Sequence, residues 1–203
     1  QTGVSVCQQT RNLVPNPSFV DGGGEPWEPD HWYEGGPCPP CQFSYGNPGP
    51  GQDNHTSAKI WTSSGITDCV LFTRIDEIPV EPGRFYDYSA MMKTEDFELG
   101  DQAYLRIVFW RREDDPPSWK YLGDAYTAPV TDTEGRWVQM AGSVETPGNA
   151  ERARVYAVLP KGSIGSVWFD DVFLGLATCL DIRKSADPPA ATQGELLTYT
   201  IMY

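Results

Sequence analysis

The sequence predicts an all-β protein: an antiparallel two-sheet jelly-roll sandwich with an extended C-terminal β-strand tail. Three observations carry that prediction. Seven short apolar stretches, rich in β-branched and aromatic residues, recur along the chain between turn-forming residues. Gly and Pro number 20 and 18 among 203 residues, which suits many strands joined by tight turns. No segment sustains the three-and-four spacing of a helix beyond a single turn.

Taken in order, "RNLVPNPSFV" (11–20) reads as an entry strand, and residues 21–53 as a long irregular region dense in Gly, Pro and Trp. Strands follow at "SAKIWTS" (57–63), "CVLFTRI" (69–75), "FYDYSAMMK" (85–93), "AYLRIVFWR" (103–111), "RWVQMAGSV" (136–144), "ARVYAVLP" (153–160) and "SVWFDDVFL" (166–174). Turn signals such as Glu81-Pro82-Gly83 and Pro147-Gly148-Asn149 separate them. In the fourth of these, Leu105, Ile107 and Phe109 share one face, while Tyr104, Arg106, Val108 and Trp110 share the other. Residues 1–178 therefore read as one sandwich. Residues 179–203 read as a Pro-rich linker and a last strand over 195–203.

Composition narrows the partners. A hydrophobic content of 39% supports a packed core, and no run approaches a membrane-spanning helix of about 20 apolar residues. A formal charge of -13 argues against nucleic acid and anionic membranes, and favours export and divalent cations such as calcium. Gln1, standing where Met would, reads as a mature amino terminus left by signal-peptide removal, which places the protein outside the cell or at its surface. Asn54-His55-Thr56 is a candidate glycosylation triplet at Asn54.

Five cysteines stand at 7, 38, 41, 69 and 179. The two prolines between Cys38 and Cys41 place that pair in a loop rather than at a redox or zinc site, so disulfides are the expected chemistry. Cys7 and Cys179 flank the main domain and form a reasonable pair; Cys69 would then join Cys38 or Cys41.

Two resemblances add to this reading. "NLVPNPSFV", "SAKIW", "VEPGRFYDYSAMMKT", "EGRWVQMAGSV" and "GSVWFDDVFL", in that order over about residues 11–175, resemble carbohydrate-binding modules of the family 4, 9, 16 and 22 type. That resemblance implies a jelly roll with a structural calcium near the entry strand, held by Asp170 or Asp171 with ligands from the Asn16 to Asp21 stretch. "LDIRKSADPPAATQGELLTYTIMY" resembles the opening of the extracellular Ig-like repeat known as DUF11, of which the first strands alone are present.

Three classes of function follow. Catalysis has little support, since His31 and His55 lie in irregular loops away from any nucleophile pattern, and the protein is expected not to be an enzyme. A polysaccharide binder would use the face carrying Tyr104, Arg106 and Trp110, with Trp61, Arg154 and Tyr156 added from neighbouring strands. A building block would use the tail. Leu197, Tyr199, Ile201 and Tyr203 share one face of the last strand, which could complete a sheet in the next copy of this chain and propagate a filament or tube. The building block is the leading expectation and the polysaccharide binder the alternative.

Overall fold

The apolar stretches fold as strands in the computed structural model, which describes residues 2–9, 11–21, 29–36, 40–49, 56–74, 76–114, 116–184, 186–187 and 198–199. In chain order these are β1 (Thr2–Gln9), β2 (Trp32–Gly35), β3 (Gln42–Pro48), β4 (Thr56–Thr62), β5 (Cys69–Thr73), β6 (Ile78–Pro79), β7 (Phe85–Glu95), β8 (Tyr104–Asp114), β9 (Pro117–Tyr126), β10 (Val138–Glu145), β11 (Arg152–Leu159), β12 (Gly165–Lys184), β13 (Ala186–Asp187) and β14 (Thr198–Tyr199). There is no helix among the described residues.

Two antiparallel sheets form the sandwich. The first runs β10-β7-β12-β4-β3, with β1 on the far half of β12; the second runs β2-β5-β11-β8-β9, with β6 beside β11. Strand alternation decides what lies between them. Tyr86, Tyr88, Ala90 and Met92 of β7 point inward, as do Leu105, Ile107 and Phe109 of β8 and Val155 and Ala157 of β11, all of them buried. Tyr88 crosses the core: its ring packs where a Cβ on Gly142 would sit, and its hydroxyl donates to the Tyr126 carbonyl at 2.8 Å.

The structure corrects the sequence reading in three places. Residues 11–20 are not a strand. Pro15 and Pro17 lack donors for a ladder, and Asn16 and Phe19 take positive φ, so the segment turns tightly while Val14 and Phe19 plug the core. Residues 21–53 are not irregular throughout, because β2 and β3 supply an edge strand to each sheet. Finally β9, which starts at Pro117, extends the second sheet beyond β8; prolines at its start masked it in the sequence.

Cys41 is joined to Cys69 by a disulfide, which resolves the alternative left open for Cys69. Cys41 immediately precedes β3 of the first sheet and Cys69 opens β5 of the second, so the bond ties the two sheets together. The backbones of Cys7 and Cys179 stand opposite each other in the β1–β12 register. Cys38 lies outside the described residues, as do Asn54, His55, Leu197, Ile201 and Tyr203. Of the expected tail strand, Thr198 and Tyr199 pair with Asp187 and Ala186 of the same chain, in a two-stranded sheet joined to neither sheet of the sandwich.

Candidate functional site

The outer face of the second sheet gathers most of the candidate side chains. Direct cross-strand register sets one row over all five strands of the path: Tyr33 opposes Phe72, Phe72 opposes Tyr156, Tyr156 opposes Arg106, and Arg106 opposes Tyr126. Opposed residues on a pleated sheet point the same way, so the row forms one continuous strip. Phe72 and Tyr156 lie 5.5 Å apart between ring centroids and Tyr33 and Phe72 6.1 Å. Gly35 keeps the strip flat at its edge, because a Cβ there would come within 2.8 Å of Val70 and 2.9 Å of Phe72.

Guanidiniums are interleaved with the rings. Arg154 lies over Phe72 at 5.0 Å, and Arg106 over Tyr156 at 5.7 Å and Tyr126 at 5.5 Å. Arg106 donates to Asp124 through Nε and Nη2 at 2.9 and 2.6 Å, and the Tyr126 hydroxyl donates to the same oxygen at 2.6 Å. Burial alone would raise the Asp124 carboxyl, but the hydrogen bonds from Tyr126 and Arg106 outweigh it and hold the group below its ordinary range. The Tyr126 hydroxyl is pushed up to about 12, first by its bond to Asp124 and then by burial.

Four residues along β8 and β11 from that row, Arg152 opposes Trp110, and Trp110 opposes Tyr121 with rings edge to face at 5.9 Å. The sheet thus brings together Tyr104, Arg106, Trp110, Arg154 and Tyr156, all anticipated from sequence. It adds Tyr33, Phe72, Arg152, Tyr121 and Tyr126. Tyr33 and Tyr121 were missed because β2 and β9 were not legible as strands. Phe72 was legible in β5, but only its register against Tyr156 places it on this strip.

Trp61 belongs elsewhere. It sits on β4, which pairs with β3 and β12, so it faces out from the opposite sheet with the core in between. There it flanks Lys59, whose ammonium lies 5.2 Å from the Trp61 ring and 4.4 Å from Trp168.

Of the residues expected to hold calcium, Asp170 and Asp171 sit at the bulge of β12, which the segment over 11–21 reaches through Ser18, while Asn16 and Asp21 bond to each other within that segment. The β12 register against β7 shifts between Asp170 and Phe173, and Asp171 takes positive φ there. Asp170 is fully buried and accepts from the Asp171 amide at 2.7 Å; Asp171 accepts from Ser18 Oγ at 2.9 Å. Asn16 closes the loop, donating to the Asp21 and Asp30 carbonyls at 2.8 and 3.1 Å and accepting from the Asp21 amide. A buried carboxylate beside loop carbonyls is the oxygen chemistry calcium takes. No group of three His, Cys, Asp or Glu side chains suited to a metal converges among the described residues. His31, the described one of the two histidines, contacts Glu77 at 3.0 Å.

No protein-family model matches the sequence, and no curated protein matches it. Solved structures do match in fold. The CBM22-1 xylan-binding domain of Paenibacillus barcinonensis Xyn10C superposes with a TM-score of 0.53 at 13% identity, over 84% of this chain and 97% of that one. A family 4 carbohydrate-binding module gives 0.51 at 16% identity, over 80% and 99%. Tailspike protein 4 of bacteriophage CBA120, in its enzymatically active domain, gives 0.59 at 17% identity; the match covers 81% of this chain but spans 21% of that one. At such identities the likeness is one of architecture: this chain is an all-β, two-sheet jelly-roll sandwich of the kind seen in carbohydrate-binding modules.

Proposed function

We propose that this chain is a non-catalytic carbohydrate-binding domain of an exported protein, and that a polysaccharide lies along the outer face of the second sheet. The observation that carries this is the ring-and-guanidinium strip from Tyr33 to Tyr126. Aromatic faces offer flat apolar platforms to pyranose rings, and planar guanidiniums fix hydroxyls around them. Two further points support it: architectural neighbours include a xylan-binding domain, and a disulfide suits an oxidising compartment. Asp124 is committed to Arg106 and Tyr126, which makes it a poor proton donor for glycoside cleavage. Affinity electrophoresis through gels containing dissolved polysaccharides tests the reading. Retention by at least one polymer, weakened by Tyr156→Ala and accompanied by no release of reducing ends, is the expected result; no retention by any polymer would overturn it.

A structural calcium held by Asp170 and Asp171 with carbonyls of the loop over 16–21 is part of the same proposal. Bound metal would tie the entry segment to β12 and raise stability by mass action. Melting should then shift down with chelator and return with added calcium; indifference to both would remove the ion from the account.

A second reading rests on the tail. A two-stranded sheet is marginal by itself, and β13 and β14 join neither sheet of the sandwich. The face of Leu197, Tyr199, Ile201 and Tyr203 could gain its cover from another copy of the chain. Light scattering at high concentration, with and without residues 194–203, tests this: particles that vanish on truncation support strand donation, and a monomer in both cases excludes it.

A further inference from the structure

We infer that the second-sheet face selects polysaccharides carrying carboxylates, such as chains of uronic acids, over neutral ones; the inference rests on the carbohydrate-binding reading above. It starts from donors without acceptors. Among the described residues, three buried side-chain N–H groups lack a protein acceptor: Trp110 Nε1, Arg152 Nε and Arg154 Nε. All three belong to one patch, since Arg152 opposes Trp110 and Arg154 lies two residues along the same face of β11. Buried donors are nearly always satisfied by protein groups or by ordered water, so three in one patch with no protein acceptor mark a place that calls for oxygen partners the chain itself does not supply.

Charge gives the class of acceptor. Arg106 is neutralised by Asp124, but no carboxylate pairs with Arg152 or Arg154 among the described residues. Arg152 Nη1 donates to the Glu151 carbonyl at 2.9 Å and Arg154 Nη1 to the Tyr156 hydroxyl at 3.1 Å, which leaves both guanidiniums with full positive charge and spare donors. In a chain of formal charge -13, two unpaired arginines side by side on a ring-lined face run against the overall balance. A neutral sugar would satisfy hydroxyl-sized donors and leave this charge uncompensated. A carboxylate on a stacked pyranose matches the planar, two-pronged donor edge of a guanidinium. The surrounding acidity sharpens the choice, because the rest of the molecule repels polyanions and only a locally matched contact can hold one.

The test compares the intact 203-residue chain on polygalacturonate and on the same polymer with its carboxyls methyl-esterified, at several salt concentrations. At least tenfold tighter binding to the acid form is expected, falling as salt rises, with the ester indifferent to salt. Arg154→Gln should bring the two polymers within about twofold of each other, and Arg154→Lys, which keeps the charge but not the fork, should recover part of the gap. Equal binding of acid and ester, or a preference untouched by salt and by both variants, overturns acid selection while leaving the carbohydrate reading in place. Binding to neither polymer but to neutral xylan or glucan overturns it likewise; binding to no polymer removes the carbohydrate reading and this inference with it.

Discussion

Both sheets carry aromatic rings alternating with cations on their outer faces, yet the two surfaces differ in what they leave unsatisfied. On the first sheet, Trp168 opposes Lys59 on one side and Lys93 on the other. Their ammoniums stand 4.4 and 4.2 Å from its ring, and Trp61 and Trp137 flank the lysines at 5.2 and 5.8 Å. Trp168 keeps 6% of its surface exposed, and Lys93 is also paired with Glu95 at 3.3 Å. That face has closed on itself. On the second sheet, Tyr121 and Tyr126 remain 49% and 48% exposed, and three buried N–H donors lack a protein acceptor among the described residues. Both faces are rich in cation–π contacts, so these do not set the proposed binding face apart; its open ring faces and unspent donors do.

The comparison predicts different failures on the two sides. The largest effect belongs to the closed face: Trp168→Ala should cost about 3–5 kcal/mol in chemical denaturation, as for other buried aromatics, while folded variant still binds polysaccharide. A loss below about 1 kcal/mol would mean that this face is not closed. Next comes the bond between the sheets: replacing Cys41 and Cys69 together by Ser should cost about 2–4 kcal/mol with little change in affinity. A sharp fall in affinity at unchanged stability would show that the disulfide shapes the strip instead.

Smaller in energy but more telling is the pair Tyr156→Ala and Trp61→Ala. The first should weaken glycan binding about tenfold, which is about 1.4 kcal/mol, and the second should leave it unchanged. The opposite outcome would move the binding face to the first sheet. The smallest effect is in titration. Because the Tyr126 hydroxyl is pushed up to about 12, its protonated form stabilises the fold below the ordinary value of 10.0, and that contribution is lost as pH rises from there through about 12. The Asp124 contribution has the opposite sign: it is present above the ordinary 3.8 and is lost as pH falls below it. Burial also raises Tyr86, Tyr88 and Tyr104, so among the late-titrating tyrosines in phenolate absorbance one should move back toward 10.0 in Asp124→Asn; no such shift would mean the hydrogen bond does not hold in solution.

Local pattern was enough for the strands that build the core. The alternation of Leu105, Ile107 and Phe109 against Tyr104, Arg106 and Trp110 assigned inner and outer faces of β8 correctly, because strand side chains point to opposite sides with period two whatever their neighbours. The stretches over 57–63, 69–75 and 85–93 became β4, β5 and β7 for the same reason. The order of the short motifs also carried the jelly-roll likeness. Edge elements were not legible. A four-residue β2 and a β9 that opens with Pro117 have the composition of loops, and they become strands because a neighbour offers them hydrogen bonds. Sheet membership was likewise beyond local reading: Trp61 and Trp110 are both tryptophans at outward positions, and pairing over long sequence separations puts β4 with β12 and β8 with β11, on opposite sides of the core. The sequence by itself determined which way each side chain points from its own strand. Which side chains share a surface, and so which arginines stand unpaired beside which rings, was decided by the tertiary register alone, since that depends on partners far away in the chain.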